Sequence, residues 1–210
     1  MHTIDHTITA ITSVAIGTDD VAAAARFIDA LGVGDRVRAA ACDDPTAGFR
    51  GYTISLTSPQ PGDVRALVDA AVAAGGEIVK PVAKSLWGVG GVVRSPDGAL
   101  WKFATSAKKD DRPVTGAIDR VVLLLGAEDV GASKRFYAER GLPVGKSFGS
   151  YAEFELPASP VQLGLYKHRA LAKDAGVDPE GSGSHRLVID GGAAAFTDPD
   201  GFSWAPASAR

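Results

Sequence analysis

The chain contains one sequence pattern twice. Residues 95–101 (SPDGALW) return as residues 198–204 (DPDGFSW), 103 positions later. Ahead of each copy, an apolar strand pattern passes through an acidic turn into an amphipathic helix pattern. The aromatic residue in each helix pattern, Phe27 and then Phe136, recurs after 109 positions, which is close to half of the 210-residue chain. A tandem duplication of one domain is therefore the first prediction.

Composition restricts the classes of protein that the chain can belong to. A hydrophobic content of 45% is enough for ordinary globular cores. The net charge of −3 is spread over both halves, so we expect no basic face and no nucleic-acid partner. Cys42 is the single cysteine and cannot form an internal disulfide. Because no long apolar run and no leader-like N-terminus are present, we expect a soluble cytoplasmic protein without a membrane partner.

Strand and helix patterns alternate along the chain, which predicts a mixed α and β fold. Each complete unit reads strand, helix and three strands. Gly and Ser at 181–183 indicate a flexible hinge. Helices are predicted at 20–31, 61–74, 129–140 and 169–175, and strands at 10–17, 35–41, 51–56, 77–82, 89–94, 100–105, 118–125, 143–148, 150–156, 161–167 and 185–189, followed by a closing hairpin at 193–206.

This order of elements, closing on Asp-Gly-x-x-Trp, resembles the module of the vicinal oxygen chelate superfamily, which includes glyoxalase I, bleomycin-resistance proteins and extradiol dioxygenases. The likeness covers most of the chain. It is carried by residues 48–53 (GFRGYT), 73–81 (AAGGEIVKP), 87–88 (WG), 165–166 (LY) and 170–177 (ALAKDAGV). The resemblance implies an α+β fold in which repeated βαβββ modules form curved, cupped mixed sheets with helices on the outside.

The resemblance also implies a domain organisation, because a domain of this superfamily has two modules. The charged segment 108–116 is predicted to be the linker between two glyoxalase-like domains. Domain 1–107 has a shortened first module and a complete second module at 49–107. Domain 117–210 has a complete first module at 117–168 and a truncated second module at 183–210. As an alternative, the two complete modules pair with each other and the remnants flank them.

Superfamily members bind a divalent metal in the cup, through His or Glu on the first and last strands of each module. Lys102 and Arg120 occupy two of the matching positions, and their cationic groups would repel a metal ion. Only His185 could bind a metal well, and His2, His6 and His168 show no ligand spacing. The metal site is therefore expected to be lost, with no cofactor. The matching positions are Ser13, Gly51 or Thr53, Arg120 and His185 on first strands, and Lys102, Gln162 and Ala205 on last strands.

A second set of residues is expected to bind a small organic molecule in the cup. Lys102 and Arg120 would donate hydrogen bonds to an anionic group. Trp87, Phe148 and Tyr166 would offer apolar or stacking surface, and Gln162 shares a strand face with Tyr166. The expected partner is therefore an anionic or aromatic compound. The alternating residues Trp101 and Phe103, together with Trp204, are predicted to pack in the core.

Three functions remain open from the sequence. The favoured one is metal-free binding of a small organic molecule, which resembles the bleomycin-resistance branch. A metal-dependent lyase, isomerase or dioxygenase of the same superfamily is the second. The third is a non-catalytic structural or interaction scaffold, which a cup filled by side chains would favour. A homodimer is left open as well, since superfamily members often dimerise.

Overall fold

The computed structural model describes residues 7–207, which form four helices and fifteen strands. The helices are α1 (Val21–Ala30), α2 (Pro61–Ala73), α3 (Val130–Glu139) and α4 (His168–Ala175). The strands are β1 (Ile8–Thr18), β2 (Val37–Ala41), β3 (Thr46–Gly48), β4 (Tyr52–Thr57), β5 (Glu77–Ser85), β6 (Gly88–Arg94), β7 (Leu100–Thr105), β8 (Arg120–Ala127), β9 (Val144–Phe148), β10 (Tyr151–Phe154), β11 (Val161–Lys167), β12 (Gly181–Gly183), β13 (Leu187–Gly192), β14 (Phe196–Thr197) and β15 (Ser203–Pro206). Within this part of the chain, no helix is long and apolar enough to cross a membrane.

The largest sheet has eight strands in the order β5-β6-β7-β4-β8-β11-β10-β9. The first four strands in this order, β5, β6, β7 and β4, come from the complete module at 49–107. The last four, β8, β11, β10 and β9, come from the complete module at 117–168. The two halves join at the antiparallel pair β4 and β8, where Ile54 lies opposite Leu123. The complete modules therefore pair with each other, and the segment 108–116 connects two strands of the same sheet.

The second sheet combines the two incomplete modules in the order β14-β15-β13-β1-β2. Its central antiparallel pair, β1 and β13, places Ser13 opposite Asp190. In the described chain β13 is followed directly by the β14–β15 hairpin, without the helix of a complete module. The remnants at the two ends of the chain thus meet and form a smaller version of the large sheet.

One large hydrophobic core is shared by both sheets and by α1, α2 and α3. Trp101 and Phe103 are fully buried in it, and Trp204 is 2% exposed. The ring centroid of Trp101 lies 5.5 Å from that of Phe27, and the ring of Trp204 lies 5.6 Å from that of Tyr137. The predicted core role of these aromatic residues is confirmed, and each repeated Asp-Gly-x-x-Trp string anchors its strand against a helix.

The opposite face of the eight-stranded sheet, called the inner face below, is covered at its centre by α4. Leu171, Ala172 and Ala175 of this helix form a second apolar cluster with Leu100 and Leu124 of the sheet. Because strand residues alternate between faces, Leu100 and Leu124 point away from the large core. Side chains of α4 therefore fill part of the space that a ligand would otherwise enter.

The hinge predicted at 181–183 is wrong. These residues form β12, which pairs antiparallel with β3, so that Gly181 lies opposite Gly48. A Cβ atom on Gly181 would lie 2.2 Å from the carbonyl oxygen of Phe49. Glycine is needed here because two backbones approach each other closely.

The linker at 108–116 has no strand or helix, but the start of α2 holds it in place. The Gln60 amide donates to the carbonyl oxygen of Arg112 at 3.0 Å. Asp63 is fully buried, and its Oδ1 accepts hydrogen bonds from the backbone N–H groups of Thr115 and Gly116, both at 2.8 Å. The irregular segment is therefore an ordered part of the fold.

Candidate functional site

The candidate site is a cleft between the β5–β6 hairpin, β7 and the end of α4, called the β5–β6 cleft. Its volume is about 480 Å³, which is in the range of small-molecule sites. Three of the six residues predicted to bind a ligand line it: Trp87, Lys102 and Tyr166. The residues that carry its charge and aromatic surface are Lys80, Lys84, Trp87, Lys102, Tyr166 and Asp174.

Two lysines of the cleft contact Asp174 at the C-terminal end of α4. The Lys102 ammonium lies 2.5 Å from the Asp174 carboxylate, and the Lys80 ammonium donates to the backbone carbonyl of Asp174 at 2.8 Å. Lys84 also lines the cleft and is exposed. Three lysines and one aspartate therefore line the cleft, and this excess of positive charge favours an anionic ligand.

The aromatic residues of the predicted set lie in different environments. Trp87 is 83% exposed in the turn between β5 and β6, at the mouth of the cleft. Tyr166 is half-buried, and its ring packs edge-on against Tyr151 with centroids 5.3 Å apart. Phe148 is 66% exposed at the end of β9 and is not among the residues that line the cleft. Trp87 and Tyr166 thus line the same cleft, whereas Phe148 lies elsewhere.

Arg120 and Gln162 line a separate cleft of about 570 Å³. The Gln162 amide donates to the backbone carbonyls of Leu156 and Ser159, both at 2.9 Å. Gln162 and Tyr166 share a face of β11, but four residues of strand, about 13 Å, separate them. The residues predicted to bind one ligand therefore lie in different clefts. Gln162 hydrogen-bonds to the loop that contains Leu156 and Ser159.

The positions that match the superfamily's metal ligands do not fit a metal ion. Lys102 is paired with Asp174. Ser13 donates to the Asp190 carboxylate at 2.7 Å, and Arg38 pairs with the same carboxylate at 3.1 Å. Residues 7–207 contain no group of three or more His, Cys, Asp or Glu side chains placed to hold a metal.

His185, the weak candidate for a metal ligand, is engaged in contacts with the backbone. Its Nδ1 lies 2.7 Å from the Arg50 carbonyl oxygen, and its Nε2 lies 3.1 Å from the Asp200 carbonyl oxygen. Its ring stacks on Phe202 with centroids 4.0 Å apart. Binding of a metal would have to displace one of these carbonyl contacts. His2 and His6 lie outside the described residues.

The role of His185 has a counterpart in the other repeat. The Arg50 guanidinium donates to the carbonyl of Asp97, as His185 contacts the carbonyl of Asp200, and these turns are the two copies of the repeated string. Next to His185, Arg186 has a φ of 48°, and next to Arg50, Gly51 has a φ of 80°. His185 therefore occupies the position of a residue that holds the Pro-Asp-Gly turn.

Sequence reasoning did not identify Lys80, Lys84 and Asp174 as site residues. Asp174 belongs to a predicted helix whose apolar residues, Leu171 and Ala175, mark one covered face. That pattern indicates that one face of the helix packs against another element. It does not show which sheet the helix covers or which face of that sheet, so the contact with Lys102 could not be predicted from the sequence.

No protein-family model and no curated protein matches the chain. Among solved structures, it is similar to glyoxalase I from Zea mays, with 12% identity over 93% of this chain and 90% of that one and a TM-score of 0.61. A candidate dioxygenase from Bacillus subtilis gives 11% identity over 88% and 71% of the two chains and a TM-score of 0.54. Likeness at such low identity concerns the fold alone. The chain therefore has the mixed α+β glyoxalase fold that its resemblance to the vicinal oxygen chelate superfamily implied.

Proposed function

We propose that this protein binds a small organic anion in the β5–β6 cleft without using a metal ion. The observation that carries the proposal is the position of Lys102, which stands where the resembled superfamily has a metal-binding carboxylate and which lines the same cleft as Trp87. An ammonium group at this position can contact an anion directly. Binding at the cleft would then need no bridging metal ion.

The cleft offers two kinds of contact to such a ligand. Lys84 and Lys102 can donate charge-assisted hydrogen bonds to a carboxylate or phenolate. Trp87 and Tyr166 supply aromatic surface, so a ligand with both a ring and an anionic group would use the whole cleft. An aromatic acid is the ligand class that these groups favour.

An interaction scaffold is the second candidate function. It is favoured by one observation, which is that Leu171, Ala172 and Ala175 of α4 fill the centre of the inner face. The cleft of about 480 Å³ beside α4 favours ligand binding instead. The two functions differ in whether an isolated protein binds any small molecule there.

Tryptophan fluorescence can test the proposal, because Trp87 is exposed whereas Trp101 and Trp204 are buried. Protein treated with EDTA is titrated with aromatic and aliphatic carboxylic acids, and affinities are measured by calorimetry. A bound aromatic acid should change the emission, and Trp87→Phe should abolish that change. Lys102→Met should weaken binding about tenfold or more, whereas the exposed Lys109→Met should have no effect.

Three outcomes of these titrations would contradict the proposal. Binding that requires an added divalent metal would favour the metal-dependent alternative. The absence of binding by every acid tested would favour the scaffold. Binding that Lys102→Met leaves unchanged would place the ligand outside the β5–β6 cleft.

A further inference from the structure

The shortened first module leaves one edge of the second sheet open. The strand at this edge is β2, which pairs parallel with β1, so that Ala39 lies opposite Ile16. In each of the other three modules, one strand stands in the same relation to the first strand of its module. These strands are β7 beside β4, β11 beside β8 and β15 beside β13, and each of the three pairings is parallel.

Each of those three strands has an antiparallel neighbour on its other side. The neighbour is β6 for β7, β10 for β11 and β14 for β15. In the described part of the chain, β2 has no such neighbour. The outer edge of β2 is therefore open at the position where the other modules continue their sheet.

The hydrogen bonds to β1 show which backbone groups of β2 face this open edge. The Arg36 carbonyl accepts from the Val14 N–H group at 2.9 Å. At the other end, the Cys42 N–H group donates to the Thr18 carbonyl at 3.0 Å. Because successive residues of a strand direct their N–H and C=O groups to opposite sides, the odd-numbered residues between these two point away from β1. The residues whose backbone groups face outward are Val37, Ala39 and Ala41.

The other edge strands are protected against pairing with a further strand. β5 contains Pro81 and Lys84, and β9 contains Lys146. The remaining edges, β3, β12 and β14, have three residues or fewer. β2 has five residues without lysine or proline, and its one charged side chain, Arg38, pairs with Asp190 of the same sheet at 3.1 Å. Of the edge strands that the structure describes, β2 is therefore the least protected.

The segment around β2 is complementary in charge to an antiparallel copy of itself. The basic residues Arg36 and Arg38 lie at its start, and the acidic residues Asp43 and Asp44 follow its end. Both aspartates are exposed, so their carboxylates can reach a second molecule. Antiparallel pairing centred on Ala40 brings the basic start of each strand beside the acidic end of the other. Opposite charges placed across a strand pair stabilise it.

We infer that β2 is the contact surface of a symmetric homodimer, in which the β2 strands of two copies pair antiparallel. In the register centred on Ala40, Ala39 of each copy exchanges both of its backbone hydrogen bonds with Ala41 of the other. The two five-stranded sheets then form one continuous sheet. The second copy supplies the neighbour that β6, β10 and β14 supply in the other modules. No residue of β2 lines the β5–β6 cleft, so the dimer and the proposed ligand site are independent.

Analytical ultracentrifugation of the full-length protein over a range of concentrations measures this self-association. We expect a reversible dimer that becomes weaker as the salt concentration rises, because charged residues flank the paired strands. Ala39→Pro removes an N–H group that points away from β1, so it should weaken dimerisation about tenfold or more. Urea unfolding of the dilute variant shows whether the monomer is still folded.

A charge reversal gives a second variant, which leaves the backbone of β2 unchanged. Asp44→Lys places a cation beside Arg36 and Arg38 of the second copy, so it should also weaken the dimer. Asp69→Lys makes the same change in net charge at an exposed position on α2, and it should leave the dimer unchanged. This comparison holds even if Ala39→Pro does not fold.

Disulfide trapping tests the register of the two strands. In a Cys42→Ser background, Ala40→Cys places two cysteines on the two-fold axis as a non-hydrogen-bonded pair. The Cα atoms of such a pair lie about 4.5 Å apart, within the range that a disulfide bridges. Oxidation should therefore give a covalent dimer. Lys109→Cys in the same background is exposed and distant in sequence from β2, and it should stay monomeric under the same conditions.

Three results would overturn the proposal. The first is a protein that stays monomeric at every concentration, which would leave the edge of β2 to an extended segment of a different protein. The second is a dimer that Ala39→Pro and Asp44→Lys both leave unchanged, which would place the interface on another surface. The third is that Ala40→Cys forms no more covalent dimer than Lys109→Cys.

Discussion

Lys102 on β7 and Asp174 at the end of α4 form an ion pair with 2.5 Å between Nζ and Oδ2. The pair joins strand β7 to the helix that covers the inner face. It also balances the charge of Lys102 within the chain. An anionic ligand in the β5–β6 cleft therefore competes with Asp174 for the same ammonium group.

Asp174→Asn should consequently increase the affinity for an anionic ligand, because Lys102 is released from its competitor. The side chains of Lys102 and Asp174 are 28% and 34% exposed, and pairs of this kind contribute less than about 1 kcal/mol to stability. Urea unfolding should show that the free energy of unfolding of Asp174→Asn is lower by that amount. Calorimetry should show that the variant binds the anionic ligand more tightly. The exposed Asp43→Asn serves as the control. Weaker binding of anions by Asp174→Asn would contradict the competition.

His185→Ala should lower stability without changing the affinity for divalent metals. The substitution removes the contacts of the ring with the carbonyl oxygens of Arg50 and Asp200, to one of which either neutral tautomer donates, and the stacking on Phe202. These losses should cost about 1–3 kcal/mol. Denaturant unfolding measures the first effect, and equilibrium dialysis with Ni²⁺ measures the second. A clear drop in Ni²⁺ affinity on substitution would restore His185 as a metal ligand.

Asp63→Asn should destabilise the protein by an amount that depends on pH. Burial raises the pKa of Asp63, but hydrogen bonds from Thr115, Gly116 and Ala117 to its carboxylate more than offset this, so the pKa lies below its ordinary value. The stabilisation is therefore complete above the unfolded-state pKa of about 3.9 and is lost as pH falls through the folded-state value. At neutral pH the substitution should cost about 1–3 kcal/mol.

Urea unfolding between pH 7 and pH 2.5 measures this dependence. The difference between Asp63→Asn and the unmodified protein should be largest at neutral pH and should narrow below about pH 4. Asp69→Asn, an exposed change on the same helix, should show no such trend. A constant difference across the range would show that Asp63 acts through its shape and not through its charge.

Much of the fold could be predicted from the sequence, because periodicity and turn residues report local structure. The helix predicted at 61–74 is α2 (Pro61–Ala73), and the Pro-Asp-Gly turns come before the buried Trp101 and Trp204. The glycines at 181–183 were misleading, since a sequence does not distinguish glycine needed for flexibility from glycine needed for close backbone pairing.

The candidate site could be predicted only in part, because it depends on contacts between distant segments. Trp87, Lys102 and Tyr166 do meet in one cleft. The partner of Lys102 lies 72 positions away, and no local pattern indicates it.

Metal-free binding of an organic anion in the β5–β6 cleft can be measured by a thermal-shift screen of EDTA-treated protein against small organic acids, repeated with Mn²⁺, Ni²⁺, Zn²⁺ and Fe²⁺. A ligand at one hundred times its dissociation constant stabilises by about 2.7 kcal/mol, which such a screen detects. We expect a shift in Tm of the same size with and without metal, and a smaller shift for Lys102→Met. A shift that arises only when metal is added would show that the cleft does not bind the anion without a metal.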